Sequence, residues 1–115
     1  MNELTEAQLK KQVSDFLEYQ QNLGNLVYLR LNAGDFIEMR GASRRRIKGC
    51  MIGTSDLLVI KKWKVGIFCD VLFVELKSAK GRTSPAQSSF QKLVENQGAT
   101  YKVVRSLEEL ENILK

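Results

Sequence analysis

The sequence predicts a mixed α/β domain, a small sheet flanked by helices, and three observations point there. Two segments, starting at Thr5 and Ser84, open as capping boxes and continue with apolar residues at helical spacing. Two apolar runs, Asp56 to Ile60 and Ile67 to Leu76, read as strands joined by a hairpin. Along the chain the order is helix, strand, loop, hairpin, helix, strand, helix, which suits a single sheet with helices packed on it. With 115 residues, 43% of them apolar, the chain has the size of one domain, residues 1–115, able to bury a core without disulfide or metal.

The first helix spans roughly Glu6 to Asn22. Thr5 is its N-cap, Gln8 completes the box, and Leu9, Val13, Phe16 and Leu17 form the buried stripe before Gly24 stops it. Leu26 to Leu31, rich in Val, Leu and Tyr, is a strand. Asn32 to Gly53 holds four glycines and Arg44-Arg45-Arg46, and reads as a long loop with a short strand at Phe36 to Met39. Asp56 to Ile60 is a buried strand opened by an acid. Lys61 to Gly66 is a polar tip, and Ile67 to Leu76, apolar on both faces, is a central strand. Ser84-Pro85-Ala86-Gln87 places Ser at the N-cap and Pro at the first helical position, with Phe90, Leu93 and Val94 as its stripe and Gly98 as its stop. Thr100 to Val104 is a strand, and Ser106 to Leu114 a closing helix.

Composition removes several chemistries. There is no histidine, hence no histidine base and no Ser-His-Asp or Cys-His triad. Cys50 and Cys69 make no disulfide framework and read as free buried thiols. The N-terminal stretch lacks the apolar core of a secretory signal, and no run of about 18 apolar residues occurs. The expectation is an intracellular, cytoplasmic protein with no membrane partner. Catalysis must come from carboxylates, lysine and a hard metal ion.

The net charge of +5 is unevenly spread: Arg40 to Arg82 holds eleven Lys/Arg against Asp56, Asp70 and Glu75, or +8. Such a concentration suits a polyanion, and equally a solvated basic face. Arg44, Arg45, Arg46 and Lys48 are the candidates for gripping a nucleic-acid backbone. Trp63, between lysines, has three readings: stacking on a base, packing on a second subunit, or capping the core.

Glu75-Leu76-Lys77 ends the central strand, and residues two apart on a strand share a face. The hairpin brings Asp56 beside them, so three charged side chains converge at one end of the sheet. Two close carboxylates call for a cation, and an oxygen-rich site suits Mg²⁺, with Mn²⁺ as a substitute. Lysine beside them holds a water or offsets charge growing on a phosphate. The chemistry is metal-assisted attack of water on a phosphodiester. Asp70 points away from Glu75's face and reads as structural.

Gly53-Thr-Ser-Asp56-Leu-Leu-Val, Phe73-Val-Glu75-Leu-Lys77, Gly81-Arg-Thr-Ser-Pro-Ala-Gln87 and Gly98, in this order and spacing, resemble the VRR-NUC domain, a branch of the PD-(D/E)XK nuclease superfamily. The resemblance implies a restriction-endonuclease-like core. It implies that Asp56 and Glu75 are metal-binding carboxylates, the Leu76 carbonyl a further ligand, and Lys77 the lysine that positions the attacking water. Gln87 matches the family glutamine and also fits as a capping residue. Glu6 matches an acid on the first helix; spacing puts it on the inward stripe, and a first-turn acid is also favoured by the helix dipole. Ser55 stands where the family has proline, a change of backbone shape and not of a ligand. Small stand-alone members occur in phages and bacteria, and some similar proteins cut branched DNA. The function so implied is a Mg²⁺-dependent endodeoxyribonuclease acting on a Holliday junction or other branched DNA, with a homodimer as the expected assembly. The alternatives are a catalytically weak binding module with the same fold, and RNA as the partner.

Overall fold

The structure, a computed structural model, describes residues 3–63 and 66–115. The elements run α1 (Glu6–Asn22), β1 (Val27–Arg30), β2 (Asp35–Arg40), β3 (Ser43–Lys48), β4 (Leu57–Lys62), β5 (Cys69–Leu76), α2 (Pro85–Asn96), β6 (Thr100–Val104) and α3 (Leu107–Leu114). Four strands form the main sheet in the order β1-β4-β5-β6. β1, β4 and β5 are antiparallel, while β6 returns parallel to β5 after the α2 crossover. The predicted central position of β5, between β4 and β6, is what the apolar character of both its faces requires.

Side-chain alternation splits the sheet into two faces. Leu57, Val59, Leu72, Val74, Leu76 and Val104 point to one side and close the core against Leu9, Val13 and Leu17 of α1 and Leu110 of α3. On the other side Phe73 meets Phe90 of α2 edge-on at 5.2 Å, and Phe90 meets Tyr101 at 6.2 Å. Both predicted capping boxes are present: Thr5 and Ser84 each accept from the residue three on, whose Gln side chain accepts from the cap N–H. The Ser106 hydroxyl caps α3 by accepting from the Glu109 N–H.

The expected long loop is instead a two-stranded ribbon. β2 and β3 pair along their whole length, from Asp35↔Lys48 to Arg40↔Ser43. Gly41 opens the two-residue turn at φ +57°, and Ala42 keeps a negative φ, the arrangement that suits a tight hairpin beginning with glycine. The arginine run hides the strand signal, because every β3 residue is exposed and no buried face marks the alternation. Two other readings are corrected. Glu6 is exposed, not inward, since three residues before Leu9 places it about 60° off that stripe. Cys69 is exposed and Cys50 half-buried, so neither free thiol is fully buried. At the β4–β5 tip, Lys64 lies outside the described residues; Trp63 is 51% exposed, which removes its core-capping reading, and its indole N–H donates to Asp70.

Candidate active site

Asp56 sits one step past the last rung of the β4–β5 ladder, Leu57↔Val74, so the register carries it opposite Glu75. Its Oδ2 accepts from the Leu76 N–H at 2.7 Å, which ties the end of one strand to the start of the other through a side chain. The turn leading to Asp56 is held from below. Gly53, at φ +91°, lies so close to α2 that a Cβ there would meet the Ala86 carbonyl oxygen at 2.2 Å. Thr54 Oγ1 donates to the Met51 carbonyl at 2.6 Å, and the fully buried Ser55 hydroxyl donates to the Leu57 carbonyl at 3.1 Å. Thus Gly53-Thr-Ser-Asp56 and Ser84-Pro-Ala-Gln87, far apart in sequence, touch in the fold.

Glu75 is 4% exposed, and its Oε2 has no hydrogen-bond partner. Burial, and then the neighbouring Asp56 carboxylate, push its pKa up to about 8. Lys77 shares its face, with Nζ 3.9 Å from Glu75 Oε1, and its side chain is only 15% exposed. Sequence reasoning therefore brought these three residues to one place.

It missed Lys10. This ammonium lies 3.4 Å from Asp56 Oδ1 and 3.7 Å from Glu6, and so links the first-helix acid to the site without either acid touching the other. Burial pulls the Lys10 pKa down, but Asp56 and Glu6 outweigh it and the net direction is up. The i,i+4 spacing of Glu6 and Lys10 was the available signal. A cleft of about 440 Å³ opens over Asp56 and Leu76, with Lys10, Ser14, Arg30 and Asn32 on its walls. Arg30 comes from the end of β1, opposite Leu57, a placement that only the pairing reveals. Arg105 was missed as well. Its guanidinium donates to the carbonyls of Ser78 and Gly81 at 2.7 and 2.8 Å and pins the loop that follows Lys77.

Gln87 is engaged elsewhere: its Oε1 accepts from the Ser84 N–H at 2.9 Å, so the side chain serves the helix cap. Arg44, Arg45, Arg46 and Lys48 stand on β3, outside the cleft, and Arg46 pairs with Asp35. Tyr101 is buried with an unpartnered hydroxyl, and burial followed by Glu75 raises its pKa to about 12.

The donor set is oxygen-rich. Among the described residues no group of three His, Cys, Asp or Glu gathers. Two neighbouring carboxylates, Glu75 with an orphaned buried oxygen and Asp56 on an open cleft, fit Mg²⁺, which binds through one or two carboxylates and keeps several waters.

No helix among the described residues is long and apolar enough to cross a membrane. Neither the curated proteins nor the solved structures include a match to this chain. The family model described as the VRR-NUC domain matches residues 4–108, nearly the whole length. With a match over that length, the chain belongs to the VRR-NUC domain family.

Proposed function

We propose that this nuclease-type chain is a divalent-metal-dependent endonuclease that hydrolyses DNA phosphodiester bonds, selects branched DNA such as a four-way Holliday junction, and works as a homodimer. The observation that carries the reading is Asp56 brought opposite Glu75 at the rim of the sheet, with the Glu75 Oε2 unpartnered and Lys77 alongside.

Asp56, Glu75 and the Leu76 carbonyl would hold Mg²⁺ or Mn²⁺. A divalent cation there supplies positive charge for the phosphate and acidifies water. The chain's own residues do the rest. Lys77, its side chain largely out of water beside Glu75, orients the attacking water and offsets charge growing on the phosphate. Lys10 and Arg30 on the cleft wall draw the scissile phosphate toward Asp56. Glu6 acts through Lys10, holding its ammonium over the cleft. Gln87 is a positioning residue: it caps α2, whose first turn supports Gly53 and hence Asp56. Arg44, Arg45, Arg46 and Lys48, on β3 outside the cleft, hold the nucleic-acid backbone beside the cut.

Two symmetric cuts in a four-way junction need two sites, and this chain carries one. The face that suits a second copy is apolar. Met51, Trp63, Phe68 and Leu93, each more than half exposed, surround a cleft of about 870 Å³ floored by Phe73 and Phe90.

The test is a panel of linear, flapped, splayed and four-way substrates, in DNA and RNA, with and without Mg²⁺. Cleavage of the four-way DNA is expected, stopped by EDTA and restored by Mg²⁺ or Mn²⁺. Glu75→Ala and Lys77→Ala are expected to abolish it while DNA binding persists. Salt-dependent binding with no metal-dependent product on any substrate would leave a binding module with a nuclease fold. A strict monomer in sedimentation would remove the junction reading.

A further inference from the structure

β2 and β3 form a sheet of their own, and among the described residues neither packs on any other helix or strand. The molecule is correspondingly elongated, 53 × 41 × 31 Å. Six-residue strands make an arm about 20 Å long. An isolated two-stranded hairpin is marginal in water, and the described side chains of this arm are exposed or half-buried, so the arm is built for a partner.

The register sorts its side chains. Lys48, Arg46 and Arg44 stand opposite Asp35, Ile37 and Met39 and share one face with them. Ile37 is 68% and Met39 60% exposed, so this face is an apolar strip flanked by cations. Asp35 is paired with Arg46, and Glu38 with Arg40 at 2.7 Å. No ion pair involves Arg44, Arg45 or Lys48 among the described residues.

The arm is rooted at the active-site cleft. The Leu31 N–H donates to the Asp56 carbonyl at 2.9 Å, and Asn32 lines the cleft beside Asp56. From there the two strands are clamped at their base: Cys50 N–H donates to the Asn32 carbonyl, and Gly34 N–H to the Cys50 carbonyl, both at 2.7 Å.

We infer that the β2–β3 ribbon is a duplex-reading arm that enters the major groove of B-form DNA next to the cleavage site, with Ile37 and Met39 toward the base edges and Arg44, Arg46 and Lys48 toward base edges and phosphates. The shape fits: the B-DNA major groove, about 12 Å wide and 8.5 Å deep, admits a two-stranded ribbon. An A-form RNA groove is too narrow and deep for side chains to read. The charge fits a polyanion, and the exposed apolar strip fits thymine methyl groups better than it fits bulk solvent. An arm about 20 Å long reaches about 6 base pairs from its root. This rests on the nuclease reading for its placement beside a cut, but binding tests it independently of cleavage.

The experiment is fluorescence anisotropy with the full chain in EDTA, on a B-form DNA duplex and the RNA duplex of the same sequence. The DNA is expected to bind at least tenfold more tightly. Methyl green, which fills the major groove, should compete, and netropsin, which fills the minor groove, should not. Arg44→Ser/Lys48→Ser should weaken DNA binding at least tenfold and lower the salt slope by about 2. Ile37→Ser/Met39→Ser should leave the salt slope unchanged and erase the preference for DNA over RNA. The ribbon packs on no other element, so both variants should keep the wild-type circular dichroism. Unchanged affinity in both variants, or competition by netropsin alone, overturns the inference. Normal ribbon-dependent binding without cleavage sinks the nuclease reading and leaves the arm standing; cleavage with ribbon-independent binding does the reverse.

Discussion

The Asp56 carboxylate accepts the Leu76 backbone N–H at 2.7 Å, in the place where the next strand rung would have put a carbonyl. One side chain therefore both finishes the β4–β5 ladder and offers its other oxygen to the cleft. The two roles separate on substitution. Asp56→Ala leaves the Leu76 N–H without its partner and should cost about 1–3 kcal/mol. Asp56→Asn keeps an acceptor and should stay within about 1 kcal/mol of wild type. Both should lose cleavage. Urea midpoints beside cleavage rates check this; equal destabilisation by the two variants would deny the ladder role.

Glu75 makes stability depend on pH. Its folded-state pKa stands at about 8, against 4.5 for the free side chain, because of burial first and Asp56 second. Below 4.5 both the folded and unfolded chains hold the proton. Between 4.5 and 8 the unfolded chain releases it while the folded chain keeps it, so stability falls as pH rises through that window. In EDTA, Glu75→Gln should gain on wild type from pH 5 to pH 8 by up to a few kcal/mol. Adding Mg²⁺ at pH 8 should raise the melting temperature of wild type and not that of the variant. A constant difference between the two across the pH range would contradict the buried-carboxyl picture.

Lys10 occupies the side of Asp56 that faces the cleft, 3.4 Å from Oδ1. Removing this charge with Lys10→Met should tighten Mn²⁺ binding about fivefold, since one like charge leaves the neighbourhood of the ion. The same variant should bind DNA more weakly. Isothermal titration with Mn²⁺ alone, then anisotropy with DNA, reads both; looser Mn²⁺ binding would mean that Lys10 organises the carboxylates instead of repelling the ion.

Gly53→Ala combines two penalties, a positive φ of 91° and a Cβ 2.2 Å from the Ala86 carbonyl oxygen. The backbone must move, at a cost of about 2–4 kcal/mol, and Asp56 moves with it. A variant with a wild-type urea midpoint would show that this turn and α2 are not in contact.

Helix boundaries were readable from the residues because a capping box is complete within four positions, and α1 and β6 fall where spacing and composition put them. The three chemical residues were readable too, since strand alternation pairs Glu75 with Lys77 and a hairpin must return Asp56 to them. The ribbon was not. Every β3 residue is exposed, as are Ile37 and Met39 of β2, so no buried stripe marks the alternation, and three arginines and a glycine turn read as loop.

Local preferences act over a few residues and are carried by the chain wherever it goes; they set the helices, the strands and the acid-rich strand ends. The remaining parts of the site join distant positions: Asp56 reaches Leu76 across 20 residues, and Arg105 reaches Ser78 across 27. Lys10 and Arg30 become cleft walls only once β1 pairs with β4 and α1 lies against β1 and β5. Burial of Glu75 likewise follows from packing, because no residue next to it in sequence can remove it from water. Those contacts, and the free-standing arm rooted beside Asp56, follow from how the layers close on one another.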